Sequence, residues 1–516
     1  MIENLDDLLV LLAIAVPAFA VAKPLALRFM SDADFARRRN VWLALTAASF
    51  ITPSFWLYTL FVIPLVAWCA RKDPNPLAVY IVAITAVPPL INFEIPGLVI
   101  NALFRLDSLR VLALAILVPA AWRALRTHDG PNRRLLGTDI LILAYVAVVV
   151  LSMTRTASAT HALRSAFILA LDILLPYLVA SRACYRRHDL VEILASFCLV
   201  CAVLAPLALF ESLKGWLLFH GISVAWNFPT MNTYEYRGGF LRAQVSGGHS
   251  LAFGNVMAIG FGAWLYLSSG LRSLPLALLG GAWMWMGLVA SWSRGPWVAG
   301  CALLFAFLAL RPKAAAALVG GLFIATVAGG LVAASPIGDA VIDRLPFVGT
   351  VGERNVSYRQ LLIVVSWEQI KQNPWFGNPS VLAALEDLRQ GEGIIDLLNV
   401  YLTITLFHGL AGLLPYVGFL AACIWRAYRP ARTLVSTQPD SSLLGTTLVS
   451  CLLAFLLMLG MGGVGAGVER LLFVLAGLAV AYPSLLGDRQ PAVSEGPHGP
   501  AFMRSPSSAT VIRRSR

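Results

Sequence analysis

The chain has 516 residues, 58% hydrophobic and only 13% charged, against roughly 25% charged in an ordinary soluble domain. This balance excludes a soluble enzyme and a nucleic-acid-binding domain. The long apolar runs exclude an outer-membrane barrel, whose strands are ~10-residue alternating segments. The net charge of +12 is read by position, because Lys and Arg report sidedness in membrane proteins.

Apolar segments run at 7–22, 41–70, 77–92, 108–122, 138–152, 163–181, 190–211, 250–269, 274–290, 296–310, 314–334, 398–425, 443–461 and 466–485. Most approach the ~20 residues that cross a bilayer. The first follows Asp6 and Asp7 without a basic leading region or a cleavage site, so it reads as a span and not as a signal peptide. The 41–70 stretch is broken by Thr52-Pro53-Ser54 and reads as a tight hairpin or a re-entrant pair. The expected fold is an all-α integral membrane protein of about 12–14 transmembrane helices with a helical periplasmic loop domain.

Basic residues supply the expected topology. Of the 39, 25 fall on alternate loops. They include Lys23, Arg37–Arg39, Arg71, Lys72, Arg123, Arg126, Arg182, Arg186, Arg187, Arg272, Arg311, Arg426, Arg429 and Arg432, and their face is expected to be cytoplasmic. Residues 1–334 then form an N-terminal bundle carrying an outer loop at 212–249, and 335–397 form a second outer domain. Residues 398–485 return to the membrane, and the Pro/Ser/Gly-rich, basic tail at 486–516 is expected to be disordered. Within the second loop, Ser357 is positioned to cap a helix Tyr358–Gln372 that ends at Asn373-Pro374, and Ser380 a shorter one through Arg389.

The seven cysteines lie in or beside apolar runs without metal-type spacing, so neither a disulfide framework, a metal site nor a cofactor is expected. Fourteen basic residues remain on the outer side, twelve of them Arg. Cations there oppose insertion, and arginine's planar fork fits phosphate oxygens in pairs. Arg105, Arg155 and Lys371 read as interfacial anchors. Arg237 and Arg242 stand in a Gly-rich stretch running through His249 into an apolar helix, where unpaired N–H groups face an anion. His249 is either a proton-transfer group or a helix-start hydrogen-bonder. Arg294, in Ser293-Arg294-Gly295 between two spans, either stabilises the turn or contacts a ligand. Asp172, mid-span, pairs with a neighbouring helix or serves a proton pathway.

Four elements together resemble the O-antigen ligase and polysaccharide polymerase superfamily of bacterial inner-membrane proteins. They are the Arg242…His249 stretch, the Ser293-Arg294-Gly295 turn, the long loop with Arg359…Trp367…Asn373-Pro374-Trp-Phe-Gly377, and Asn399-x-Tyr401-Leu402 followed by Gly409-Leu-Ala-Gly412. The resemblance implies a metal-independent, inverting glycosyltransferase that takes glycan from undecaprenyl pyrophosphate at the periplasmic face. Its pyrophosphate-binding arginines map onto Arg242, Arg294 and Arg359, or Arg354 in place of the last. The acceptor is a growing polysaccharide, and a chain-length regulator is a possible partner. Ligases of the family carry His-Asn where this chain has Leu398-Asn399, a departure that favours a polymerase over a ligase acting on lipid A-core. Asp396 is the candidate base, with Glu392 second, although Asp396 also suits a helix N-cap. A lipid-linked sugar flippase is the competing class.

Overall fold

The computed structural model describes residues 2–89, 93–95, 104–126, 135–155, 159–228, 231–311, 320–321, 353–389, 395–462 and 467–486. The protein is an all-α membrane protein. Among the described residues nine helices are long and apolar enough to cross a membrane: Asn4–Ala26, Phe55–Lys72, Ser108–Arg126, Thr160–Arg182, Arg187–Lys214, Ser250–Ser268, Val400–Thr433, Pro439–Met461 and Val468–Leu485. Three shorter apolar helices, Gly137–Met153, Leu274–Ala290 and Arg294–Ala309, pack among them. The innermost are Arg187–Lys214, Ser250–Ser268 and Val468–Leu485, and Asn4–Ala26 is peripheral.

The 41–70 run is a helical hairpin. Its first arm begins at Asp32, capped by the Ser31 side chain on the Asp34 N–H, and ends at Ile51; the second starts behind Ser54. The Trp226 indole N–H donates to the Thr52 carbonyl at 3.2 Å and holds the break. The 77–92 run is helical only over Pro76–Ile84. Single π-turns at Ala113–Leu117 and Ala170–Leu174 interrupt two spans. The second presents Asp172, in keeping with the functional company such turns keep.

Buried charge is paired at two levels of the bundle. At the basic end Arg38, fully buried, is a side chain of a helix interior and not of a loop. It donates to Asp73 at 2.8 Å, Glu192 at 2.9 Å and Ser196 at 2.9 Å, tying three helices together. Arg182 is likewise consumed by Asp139 at 2.5 Å. Toward the other end, Asp172 accepts from Arg110 at 2.7 Å and Arg470 at 2.6 Å, and Arg470 also reaches Asp107 at 3.0 Å. Of the two sequence readings for Asp172, helix–helix pairing is the one observed. At the basic end Lys72 lies over Trp68, Arg126 over Trp122 and Arg429 over Trp425. These exposed Trp rings mark one membrane interface.

The second loop departs from expectation in detail. Its helix runs Glu353–Gln372, so Ser357 falls within it and not at its start, because the helix extends a further turn toward the N-terminus. It does stop before Asn373-Pro374, as proline requires. Ser380 precedes a 3-10 segment, Val381–Leu388, without a side-chain cap bond. Nor is Asp396 the cap of the following span: the Asn399 side chain accepts from the Leu402 N–H at 3.1 Å. Asp396 is exposed, and its carbonyl accepts from the Tyr358 hydroxyl. The segments 314–319, 322–352, 390–394 and 487–516 lie outside the described residues, and Glu392 with them.

The Val400–Thr433 helix breaks at Gly409 (φ 64°, ψ −164°). The Leu410 and Ala411 N–H groups, freed there, donate to the Pro374 and Trp375 carbonyls, both at 2.9 Å, and Asn378 N–H donates to the Leu406 carbonyl. Arg155 adds bonds to the Phe376 and Gly377 carbonyls, so it fastens this strap and is not a plain anchor.

Breaking a buried ion pair by removing one partner costs roughly 3–5 kcal/mol. Arg38→Met is therefore expected to lower the unfolding midpoint in detergent by a large margin. An unchanged midpoint contradicts the role assigned to Arg38.

Candidate functional site

The outer loop after Lys214 is built around a carboxylate. Glu211, fully buried near the end of its helix, accepts the Leu218 N–H at 3.0 Å on one oxygen, and the Gln244 and Val245 N–H groups at 2.9 Å on the other. Three otherwise orphaned backbone donors are thus satisfied in an apolar setting. Asn232 adds a second brace, donating to the Val245 carbonyl at 3.0 Å. No local sequence pattern marks Glu211, because nothing in its neighbourhood shows that two distant loop segments converge on it.

Between these braces Tyr236–Arg237 and Phe240–Leu241 pair antiparallel. Gly238 and Gly239, at φ 57° and 85°, form the two-residue loop that such a tight hairpin demands. The ladder continues one step, since Arg242 N–H donates to the Glu235 carbonyl at 2.9 Å. Glu235 and Arg242 therefore stand across from each other, and their side chains meet at 2.5 Å. This carboxylate escaped the sequence reading: its partner is seven residues away, and only the hairpin brings the two together.

The hairpin lies against the turn between Leu274–Ala290 and Arg294–Ala309. Ala243 N–H donates to the Ala290 carbonyl at 3.0 Å. Phe240 stacks on Trp292, with centroids 4.7 Å apart and planes 14° from parallel. Trp292 holds a positive φ of 46°, and its indole N–H is taken by Ser212 at 2.9 Å. Two hairpin arginines grip this turn, Arg237 through the Trp292 carbonyl at 2.8 Å and Arg242 through the Ser293 hydroxyl at 2.9 Å. Arg294 then opens the next helix. Close approach is possible because Gly254 faces the turn: a Cβ there would come within 2.8 Å of Pro296 and the Ser291 hydroxyl.

His249 completes the group. It caps the Ser250–Ser268 helix, Nδ1 accepting the Leu251 N–H at 3.2 Å, and its Nε2 lies 3.5 Å from the other Glu235 oxygen. The helix-start role is the one observed, and it orients the second nitrogen toward Glu235. The Glu235 and His249 side chains are 31% and 44% exposed, so the group opens to solvent.

Two guanidinium groups, Arg242 and Arg237, thus act on one carboxylate, and Arg294 lies close enough to Arg237 to act on its charge. Burial and the charges of Arg242 and Arg294 draw Arg237 down to about 10, with Glu235 opposing. Glu235 itself, although burial pushes it up, is held below the ordinary carboxylate range by His249, Arg242 and Arg237. Arg237 and Arg242 together bring one more positive charge than Glu235 balances, which suits an anion. That excess repels a metal ion, and no His/Cys/Asp/Glu group able to hold one occurs among the described residues.

Of the sequence candidates, Arg242, Arg294 and His249 come together here, joined by Arg237 and Glu235. Asn399 spends its side-chain oxygen on its helix cap. Arg354 and Arg359 belong to the Glu353–Gln372 helix, but their side chains lie outside the described residues. No protein-family model matches the chain, and no curated protein matches it.

Glu211→Gln replaces one acceptor oxygen with N–H₂, leaving at least one loop donor opposite a donor, at about 1–3 kcal/mol for each group left unsatisfied. Proteolysis within 215–249 is expected to quicken while the bundle stays folded. Wild-type cleavage rates count against Glu211 as the organiser of the loop.

Proposed function

We propose that the protein is a membrane glycosyltransferase. In this reading it extends polysaccharide from repeat units carried on undecaprenyl pyrophosphate, at the periplasmic face of a bacterial inner membrane. The observation that carries the proposal is the cluster at the helix ends opposite the basic face, in which Arg237 and Arg242 flank Glu235 and Arg294 lies close enough to Arg237 to act on its charge.

The acceptor hydroxyl attacks the anomeric carbon while the bond from that carbon to the phosphate oxygen breaks, and its electron pair leaves with the diphosphate. The chemistry needs cations where that charge develops and a group to receive the hydroxyl proton. The guanidinium groups supply the first. Glu235 is the carboxylate within the cluster, and a bound diphosphate both competes for its arginines and raises its proton affinity, moving it toward a base. Asp396 and Glu392, on the approach to the Val400–Thr433 span, are the second choice. A flippase is favoured less, because Asp172, the mid-span charge that suggested a transport path, is matched by Arg110 and Arg470.

Arg242→Ala and Arg294→Ala are expected to cut polymer formation by roughly 100- to 1000-fold, the usual loss when one donor to a developing charge is removed. The measurement is glycan length on gels from complemented deletion cells at equal protein abundance. Long polymer in both variants sinks the proposal. In the deletion strain, single repeat units held on lipid indicate a polymerase, and full polymer not joined to lipid A indicates a ligase. Accumulation facing the cytoplasm indicates a flippase.

The proton acceptor is separated by a paired comparison. Glu235→Gln is expected to abolish extension and Asp396→Asn to spare it; the reverse result transfers the role to Asp396.

A further inference from the structure

The Glu353–Gln372 helix is not a span, yet it is heavily apolar on the outside. Leu362 and Ser366 face inward, Leu362 in a small separate core with Val381, Leu385, Leu388 and Leu406. Ile363, Val364 and Trp367 are 60%, 61% and 57% exposed, and the following turn displays Trp375 and Phe376 at 62% and 65%. Such a concentration of large apolar side chains outside a core marks an interaction surface.

The depth of this surface is set by its backbone bonds. Trp375 is joined through its carbonyl to Ala411, just past the break at Gly409, and Phe376 through its carbonyl to Arg155. From Gly409 to the Trp425 ring that marks the basic-side interface, the helix extends about 24 Å at 1.5 Å per residue. That is close to the ~30 Å thickness of the hydrocarbon layer, so the aromatic turn is fastened near the opposite boundary. The exposed surface is also continuous with the bundle's lipid-facing side. Leu414 lies one turn beyond Ala411, Leu151 one turn before Arg155, and both are exposed.

We propose that the Glu353–Gln372 helix and the Trp375–Phe376 turn form an interfacial anchor, lying in the headgroup layer with their rings at the acyl boundary, rather than a cap standing free in water. The partner is the lipid surface itself. Aromatic rings prefer that layer, and a helix bearing Glu368 and Lys371 alongside Ile363, Val364 and Trp367 fits an in-plane position better than a crossing one. The inference is independent of the proposed glycosyl transfer.

Among the seven cysteines Cys301 is the exposed one and the others are buried, so a Cys301→Ser background allows site-directed spin labelling. Phe376→Cys, labelled and reconstituted into vesicles of phosphatidylcholine and phosphatidylglycerol, is expected to be relaxed more by oxygen than by a water-soluble nickel chelate. A label at Glu386→Cys serves as the exposed reference. A label at 376 as open to nickel as at 386 overturns the proposal. So does one closed to both reagents, the mark of a covering protein or second copy. If Phe376→Cys fails to fold, Trp375→Phe replaces it: tryptophan quenching by brominated lipid should fall relative to wild type, and an unchanged value refutes the anchor.

Discussion

Most of the charges buried in this bundle stand beside an opposite one, because neither lipid nor the packed interior solvates them. Arg38 is held by Asp73 and Glu192, Arg110 and Arg470 share Asp172, and Arg182 is matched by Asp139. These pairs join helices far apart in sequence, and their removal leaves an isolated ion in a medium of low polarity. The group around Glu235 departs from that pattern. Arg237 and Arg242 share a single carboxylate at the mouth of the outer loop, with Arg294 close to Arg237, and part of the set still meets water.

The exception is assembled from ordinary local devices. Two glycines with positive φ close a hairpin, its ladder sets Glu235 across from Arg242, and a stacked Phe240–Trp292 pair seats it on the turn that begins Arg294's helix. Glu211 holds the loop ends from below without joining the group. Division of labour follows: one buried carboxylate stabilises backbone, and a half-exposed one moderates cations.

Much of the architecture was legible in apolar run lengths, since a segment of about 20 apolar residues has few other stable environments. The break at Thr52–Ser54, the helix start at Ser250 and the stop before Pro374 were readable from proline and cap chemistry. What failed also has physical causes. Ser357 and Asp396 are good capping residues that do not stand at helix starts, because helix ends are set by packing as well as by residue type. Arg38 and Arg182, which count as loop cations by position, are buried beside carboxylates whose partners no local pattern reveals.

Arg242, His249 and Arg294 stood out in sequence by residue type and by their place at span ends, and the structure gathers them. Arg237, Glu235 and Glu211 acquire their roles only through a hairpin and a loop closure. By itself the sequence determined that the chain is an all-α membrane protein, where most of its described spans fall and which face is basic, because hydropathy and charge act through local composition. Only the tertiary structure decided which charges neutralise one another and which remain in excess, because those partnerships depend on distances between residues the chain keeps far apart.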